Sequence, residues 1–263
     1  MTADLPGDLR AAVIALAQTP HLLVALDFDG TMAPIVDRAE DARPLPRSAA
    51  ALAALSALER TTTALVSGRA LASLRVVAAP PEPTLLVGSH GAEVHLGPSS
   101  AELKPSLRQA TALAEARAAV AQAVALYPGT MAEQKPAGVV LHYRQASETD
   151  GQAAVDLVNQ ELAQNPAFTI TTGKMVLEIS VVSANKGEGL ATLRESTQAT
   201  ATFFAGDDVT DEHAFAALLP GDVGVKVGQG NTCAHFRIES PHQLPAVLEL
   251  LLAARTNGGT HNA

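Results

Sequence analysis

The segment Leu22-Leu23-Val24-Ala25-Leu26-Asp27-Phe28-Asp29-Gly30-Thr31 limits the choice of fold more than any other stretch of this chain. Five consecutive apolar residues read as a strand buried on both faces, the habit of a parallel sheet covered by helices. The run stops at two carboxylates and a glycine. Open α/β sheets bind ligands beyond the carboxyl ends of their strands, so this strand end is also a candidate site. Asp27 and Asp29 are two apart and share a direction if the extended backbone persists. Two anions held that close repel, which calls for a cation or a shared proton. Mg²⁺ is the simplest answer, because it takes oxygen ligands and is often held by one or two carboxylates plus substrate phosphate. An Asp-Gly pair after a strand also serves as an ordinary turn, so the segment needs support from elsewhere.

That support recurs along the chain. Thr62–Val66 is rich in β-formers and ends in Ser67-Gly68-Arg69. Leu85-Leu86-Val87 ends in Gly88-Ser89-His90-Gly91, with 92–96 expected to return as a hairpin. Asn185-Lys186-Gly187 opens a helix over 188–196, and Ala201–Ala205 is a short strand before Gly206-Asp207-Asp208-Val209-Thr210-Asp211-Glu212. Thr210 is the expected N-cap of a helix over 211–219, where the charge of Asp211 favours the helix N-terminus. A last strand, Gly224–Val227, exits through Gly228-Gln229-Gly230, and Leu244, Val247, Leu248 and Leu251 mark a closing helix. The tail after Arg255 is polar and glycine-rich and is expected to fray. The connection from Pro34 to Pro46 is long and polar for a βα loop, a trait of active-site loops.

The pattern changes in the middle. Residues 100–127 are alanine-rich and helical until Pro128-Gly129. Val139–Arg144 and Lys174–Val181 alternate apolar and polar positions around a helix marked by Val155, Val158 and Leu162. Half-buried alternating strands with helices describe a sheet covered on one face. The other face carries His142, Arg144, Lys174 and Glu178. The expected fold is therefore α/β: a Rossmann-like parallel-sheet core formed by residues 1–98 and 184–263, with a smaller α+β domain inserted at 99–183.

Composition narrows the rest. The 263 residues are 47% hydrophobic but only 3% aromatic, so the core is aliphatic. A net charge of −9 disfavours a general nucleic-acid surface or an anionic membrane surface. No apolar run of about 18 residues is present, and residues 1–10 have no positive cluster before an apolar run, as a secretory signal would. A cytoplasmic monomer is the expectation. The single cysteine, Cys233, has no internal disulfide partner and reads as a small buried apolar residue.

Lined up, the strand ends supply Asp27, Asp29, Ser67, Asp207 and Asp208, and a helix start supplies Lys186. Phosphoryl transfer needs such a set, because a phosphate ester repels nucleophiles until its charge is neutralised and the attacking atom is placed in line. Asp27 attacks phosphorus in this reading, giving an aspartyl-phosphate. Asp29 serves as acid and then base. Asp27, Asp29, Asp207 and Asp208 form the candidate Mg²⁺ set, Ser67 and Lys186 contact the phosphate, and Gly30 and Thr31 offer N–H donors at a turn. For Arg69, substrate contact and an internal ion pair both stand.

The four motifs Asp27–Thr31, Ser67-Gly68-Arg69, Lys186 and Gly206-Asp207-Asp208 resemble, in order and spacing, those of the haloacid dehalogenase superfamily of phosphatases. The insert between the second and third motifs is similar to that of members with a C2-type cap. Asp27–Pro34, Gly88–Glu93, Glu133-Gln134-Lys135, His142-Tyr143-Arg144 and Gly206–Glu212 further resemble the trehalose-6-phosphate phosphatases. That resemblance implies Mg²⁺-dependent hydrolysis of trehalose 6-phosphate, with Glu133, Lys135, Arg144 and Glu178 gripping the sugar distant from the phosphate. Charged donors and acceptors suit a disaccharide's many hydroxyls. Two other readings use similar parts: a sucrose- or hexose-phosphate phosphatase, and a receiver-type signalling module, which lacks an acid two residues after its phospho-accepting aspartate.

Overall fold

In the computed structural model, the residues described are 5–97, 106–163, 165–182 and 184–258. Both expected edges of the insert, 99 and 183, lie outside them. The chain divides into two compact units, Met1–Ala101 with Ala184–Ala263, and Glu102–Ser183.

The first unit begins with α1 (Gly7–Leu16), which buries Leu9, Val13 and Leu16. Next come β1 (Leu22–Leu26), α2 (Pro46–Ser56), β2 (Thr61–Val66), α3 (Leu71–Ala78), β3 (Leu85–Gly88) and β4 (Glu93–His95). In the second unit, α4 (Leu107–Leu126) leads to the hairpin β5 (Met131–Lys135) and β6 (Gly138–His142), then α5 (Glu148–Leu162), β7 (Thr169–Gly173) and β8 (Val176–Ser180). The first unit resumes with α6 (Lys186–Thr197), β9 (Ala201–Gly206), α7 (Glu212–Ala216), β10 (Val223–Val227), β11 (Phe236–Ile238) and α8 (Leu244–Gly258).

Among the described residues the first unit forms a seven-stranded sheet in the order β11-β10-β9-β1-β2-β3-β4, parallel except where β4 runs back along β3. All five residues of β1 are buried, as a strand covered on both faces requires. Alternate side chains feed two separate cores. Leu22, Val24 and Leu26 pack with α1, α2 and α8, while Leu23 and Ala25 pack with Leu190 and Leu193 of α6 and with Phe215. β1 lies between β9 and β2, with Leu26 opposite both Ala205 and Leu65. The ladder continues one residue beyond β1 through the Asp27 N–H to Ala205 O bond, 2.9 Å. The carboxyl ends of β1, β2, β3 and β9 therefore deliver Asp27, Ser67, Ser89 and Asp207 to one edge of the sheet.

α8 continues three residues past Arg255, to Gly258; the rest of the tail expected to fray, 259–263, lies outside the described residues. The Arg255 guanidinium anchors this part of the helix, donating to the carbonyls of Ala17, Thr19 and Arg60 and to Thr61 Oγ1. Cys233 corrects another expectation. It is exposed in the loop before β11, and its backbone is what is anchored, through its N–H to Glu212 Oε2 at 2.7 Å.

In the second unit the antiparallel order is β5-β6-β8-β7. Val139, Leu141, Leu177 and Ile179 face α4 and α5 and pack on Ala116, Ala119, Val120, Ala123, Ala154 and Val158. Small residues on one stripe of α4 let the helix approach the sheet closely. Ser106 caps α4 in a reciprocal arrangement with Gln109, satisfying two of the orphan donors at its start. No helix among the described residues is long and apolar enough to cross a membrane.

Phe203 of β9 is fully buried opposite Val24 and Val223. Phe203→Ala should destabilise the chain by about 3–5 kcal/mol in urea unfolding, the range for truncating a buried aromatic. A loss under about 1 kcal/mol would contradict this packing.

Candidate active site

After Leu26 the backbone turns instead of staying extended. Ala33 N–H returns to Phe28 O at 2.8 Å, and Gly30 N–H reaches Ala33 O at 2.8 Å. Asp27 and Asp29 consequently meet different partners. Asp27 is buried, and its Oδ1 accepts from Lys186 Nζ at 2.7 Å. Lys186 opens α6 above an Asn185 N-cap and is itself buried. Its second acceptor is Asp211 Oδ1, at 2.6 Å, on a residue with no exposed surface. Oxygens of Asp27, Asp207 and Asp211 all lie within 4.8 Å of one another.

The electrostatics follow from crowding and burial. Burial pushes the Asp27 carboxyl well above the usual range; Lys186 opposes the rise, while Asp211 and Asp207 add to it. Asp207 is pushed up to about 6, first by burial and then by Asp211. Burial works against the Lys186 ammonium, yet Asp27 and Asp211 outweigh it and hold its pKa above the ordinary lysine value. Three carboxylates therefore share one cation. The donor set is all oxygen, concentrated and short of positive charge, which fits a hard divalent ion.

Glycines make room for this cluster. Gly30 has φ +83°, and a Cβ there would lie 2.1 Å from Asp207 Oδ2. A Cβ at Gly206 would lie 2.3 Å from the Asp211 carboxyl carbon. Thr31 is fully buried, with Oγ1 3.5 Å from Asp207 Oδ1.

The structure divides the expected metal set. Asp27 and Asp207 join the cluster, but the carboxylates of Asp29 and Asp208 are engaged elsewhere, and Asp211 completes the group. Asp29 forms a two-pronged pair with Arg69, Oδ2 to Nε and Oδ1 to Nη2, each at 2.6 Å. The Arg69 guanidinium also stands 5.6 Å from the centre of the Phe28 ring. Of the two roles open to Arg69, this geometry displays the ion pair. Asp208 caps the short 3₁₀ turn Val209–Asp211, with the Asp208 N–H donating in turn to Asp211 Oδ2 at 2.9 Å. Asp208 thus takes the capping position expected for Thr210, and α7 ends at Ala216, before Asp222 accepts the Leu219 N–H.

Ser67 is buried at the end of β2, and its Oγ accepts the Arg69 N–H at 3.1 Å. The neighbouring turn is tightly wound: Ser89, His90 and Gly91 all have positive φ. The His90 ring lies where a Cβ on Gly68 would be, 2.4 Å from Cε1.

In the second unit, register decides which side chains meet. Glu133, Val140, Glu178 and Thr171 form one cross-strand row on the sheet face away from α4 and α5. Lys135 Nζ donates to Glu178 Oε1 at 2.8 Å. His142 Nε2 and Glu133 Oε2 are also 2.8 Å apart, and that hydrogen bond holds Glu133 below its ordinary carboxylate value. Arg144 and Lys174 stand exposed on turns beyond the strand ends. Three of the four expected sugar-gripping residues, Glu133, Lys135 and Glu178, are thus on one face, with Arg144 just past the end of β6.

A family model described as trehalose-phosphatase matches residues 25–241. The chain belongs to the trehalose-phosphatase family. It is 32% identical over 246 residues to a trehalose-phosphate phosphatase of Mycobacterium avium, a match covering 88% of this chain and 62% of that one. The chain thus spans less than two thirds of that relative. Its fold is shared with the C-terminal domain of Candida albicans trehalose-6-phosphate phosphatase, with TM-score 0.77, 22% identity, and 96% and 99% of the two chains covered. It is shared more distantly with a haloacid dehalogenase-like hydrolase from B. subtilis, with TM-score 0.56, 14% identity, and coverage of 86% and 98%. The α/β core with parallel strands agrees with the expectation from sequence.

Two predictions follow from this geometry. Gly30→Ala must either displace Asp207 or unwind the turn. Its divalent-ion affinity, measured by calorimetry, should fall about tenfold or more; unchanged affinity would contradict the tight approach. The second concerns pH. Asp207 has a folded-state pKa of about 6, above the ordinary value of about 3.9. Its contribution to stability is therefore full below about pH 4 and is lost as pH rises through about 6. A bound cation replaces the missing proton, so the rise in Tm on adding Mg²⁺ should be larger at pH 7.5 than at pH 5. Equal increments at both pH values would rule this out.

Proposed function

We propose that this chain hydrolyses trehalose 6-phosphate to trehalose and phosphate through an aspartyl-phosphate on Asp27, with Mg²⁺ held by Asp27, Asp207 and Asp211. The observation carrying the proposal is the constellation of buried Asp27, Lys186 and Asp211 with half-buried Asp207 at the end of a central strand, together with an Asp29 carboxylate oriented by Arg69.

The bound ion supplies positive charge that lets neighbouring carboxylates ionise together and offsets the negative phosphate oxygens. Lys186 holds Oδ1 of Asp27, which orients the carboxylate so that Oδ2 attacks phosphorus. As that P–O bond forms, the bond to the sugar oxygen breaks, and Asp29 gives this oxygen a proton; because both Asp29 oxygens accept from Arg69, one of them must leave the guanidinium to carry that proton. Asp29, now ionised, takes a proton from water. The resulting hydroxide attacks phosphorus, and the bond to Asp27 breaks to restore the carboxylate. Ser67 Oγ accepts from the Arg69 N–H and keeps its own proton to donate to a phosphate oxygen. The backbone N–H groups around Gly30 and Thr31 serve the same charge.

Arg69 is a positioning residue in this scheme. Its two-pronged grip fixes the plane of the Asp29 carboxylate, a geometry lysine does not reproduce. The second unit contributes recognition of the sugar. Glu133 and Glu178 accept, Lys135 and Arg144 donate, and a site built to bond hydroxyls rejects analogues lacking them far better than an apolar pocket does.

The deciding experiment measures phosphate release from trehalose 6-phosphate, sucrose 6-phosphate and glucose 6-phosphate, with Mg²⁺ and with EDTA. Trehalose 6-phosphate should be favoured by roughly two orders of magnitude, with turnover lost in EDTA. Equal rates on all three would discard the substrate while sparing the chemistry. Asp29→Asn should lower kcat by about 10²–10⁴ without shifting Tm by more than a few degrees; an active variant removes the acid-base role. Glu178→Ala should raise KM for trehalose 6-phosphate and leave that for a small aryl phosphate unchanged. A parallel rise in both would detach the second unit from sugar recognition.

A further inference from the structure

Lys226 is a buried charge outside the catalytic scheme. It is the fourth residue of β10, Val-Gly-Val-Lys-Val, and only 3% of it is exposed. Valines on either side offer an ammonium nothing, and a buried charge persists only where specific partners replace its hydration. The partners are on the loop after β9. Lys226 lies opposite Gly206 in the parallel register. Its Nζ donates to the carbonyl oxygen of Asp207 at 2.5 Å, with Asp208 O at 3.4 Å and Glu212 Oε1 at 3.6 Å.

The peptide joining Asp207 to Asp208 is held at both ends. Its oxygen faces the Lys226 ammonium, and its N–H donates to Asp211 Oδ2 at 2.9 Å. Asp211 accepts from Lys186 through its other oxygen, and Lys186 donates to Asp27. An unbroken line of hydrogen bonds thus runs from β10 to the nucleophile. A cation at the oxygen and an anion at the N–H align the same peptide dipole, so the two contacts strengthen one another. That peptide begins at the Asp207 Cα, from which one ligand side chain departs, and its nitrogen fixes the carboxylate of a second.

We propose that Lys226 is a positioning residue that locks the 207–208 peptide, so that Asp207 and Asp211 present their oxygens to the divalent ion. It sets ion affinity without touching ion or substrate. This rests on the reading of the cluster as a divalent-cation site. Partners one layer behind metal ligands tune affinity by fixing ligand direction, and losing one costs about 10–100-fold.

The test is calorimetric titration of the full chain with Mg²⁺, alongside thermal melts in Mg²⁺ and in EDTA. Lys226→Met keeps the length of the side chain but loses its charge and donors. It should weaken Mg²⁺ binding about tenfold or more and shrink the Mg²⁺-induced rise in Tm; Lys226→Arg should restore much of both. A merely structural lysine would lower Tm equally with and without the ion. Binding within twofold of the parent in folded Lys226→Met overturns the proposal. If circular dichroism shows that Lys226→Met does not fold, Lys226→Gln, which retains an N–H donor, takes its place. It should still weaken Mg²⁺ binding, and parental affinity again overturns the proposal. Failure of the parent chain to bind Mg²⁺ would instead remove the cation reading itself, and the inference with it.

Discussion

One ammonium between two buried carboxylates governs the first unit. Lys186 Nζ sits 2.7 Å from Asp27 and 2.6 Å from Asp211, with all three side chains almost fully withdrawn from water. Such a group is not an economical way to stabilise a fold, since desolvating the ions commonly cancels their attraction and apolar residues of the same size serve as well. Its presence is better understood through charge. With Asp207 beside it the ionised group carries more anions than cations, a deficit that a proton or a cation removes. Everything around the group preserves this condition. Glycines at 30 and 206 leave space for carboxylates at van der Waals contact, and the parallel strands hold them from behind.

The two carboxylates of the Asp27-Phe28-Asp29 triplet show how a change of backbone direction gives neighbouring acids different surroundings. Asp27 still belongs to the ladder, through its N–H to Ala205, and inherits the burial of the sheet. Asp29 lies past the turn, is about one third exposed and is clamped by Arg69. In the proposed reaction, a half-buried, oriented acid exchanges protons with substrate and water. A buried one held by lysine is suited to attack. The difference arises within three residues.

Much of this was legible in the sequence because burial writes itself into composition. The uninterrupted apolar run of β1 announced a strand covered on both faces, and the alternation in β6 and β8 announced a sheet covered on one. Strand ends then located Asp27, Ser67 and Asp207. Contacts set by geometry rather than pattern were hidden. Asp208 and Asp211 both precede or begin a short helix, and only the placing of a 3₁₀ turn, with Asp208 as its N-cap and Asp211 as its third residue, decides which caps and which joins the cluster. The pairing of His142 with Glu133 depends on cross-strand register, and the sequence carries no mark of it. The partners of Lys226 are equally unmarked in the sequence; its isolation in an apolar strand is the one signal there. Cys233 departs from the average for its residue type, which assigns cysteine to interiors, because its loop is exposed and held by a backbone hydrogen bond to Glu212.

The place of β1 in the sheet has a consequence for how the molecule is made. One neighbour, β2, follows soon after it, but the other, β9, pairs with residues 179 positions earlier in the chain. A nascent polypeptide that has emerged only as far as the inserted unit carries a fully apolar strand with one edge unpaired. Closing so long a loop is slow, and open strand edges attract other chains. The insert, whose strands are neighbours in sequence, can mature during this interval. The cluster at the end of β1 has to wait as well, because Asp207 and Asp211 follow β9 in the chain; until residues 201–206 are synthesised, that edge of β1 stays open to other chains.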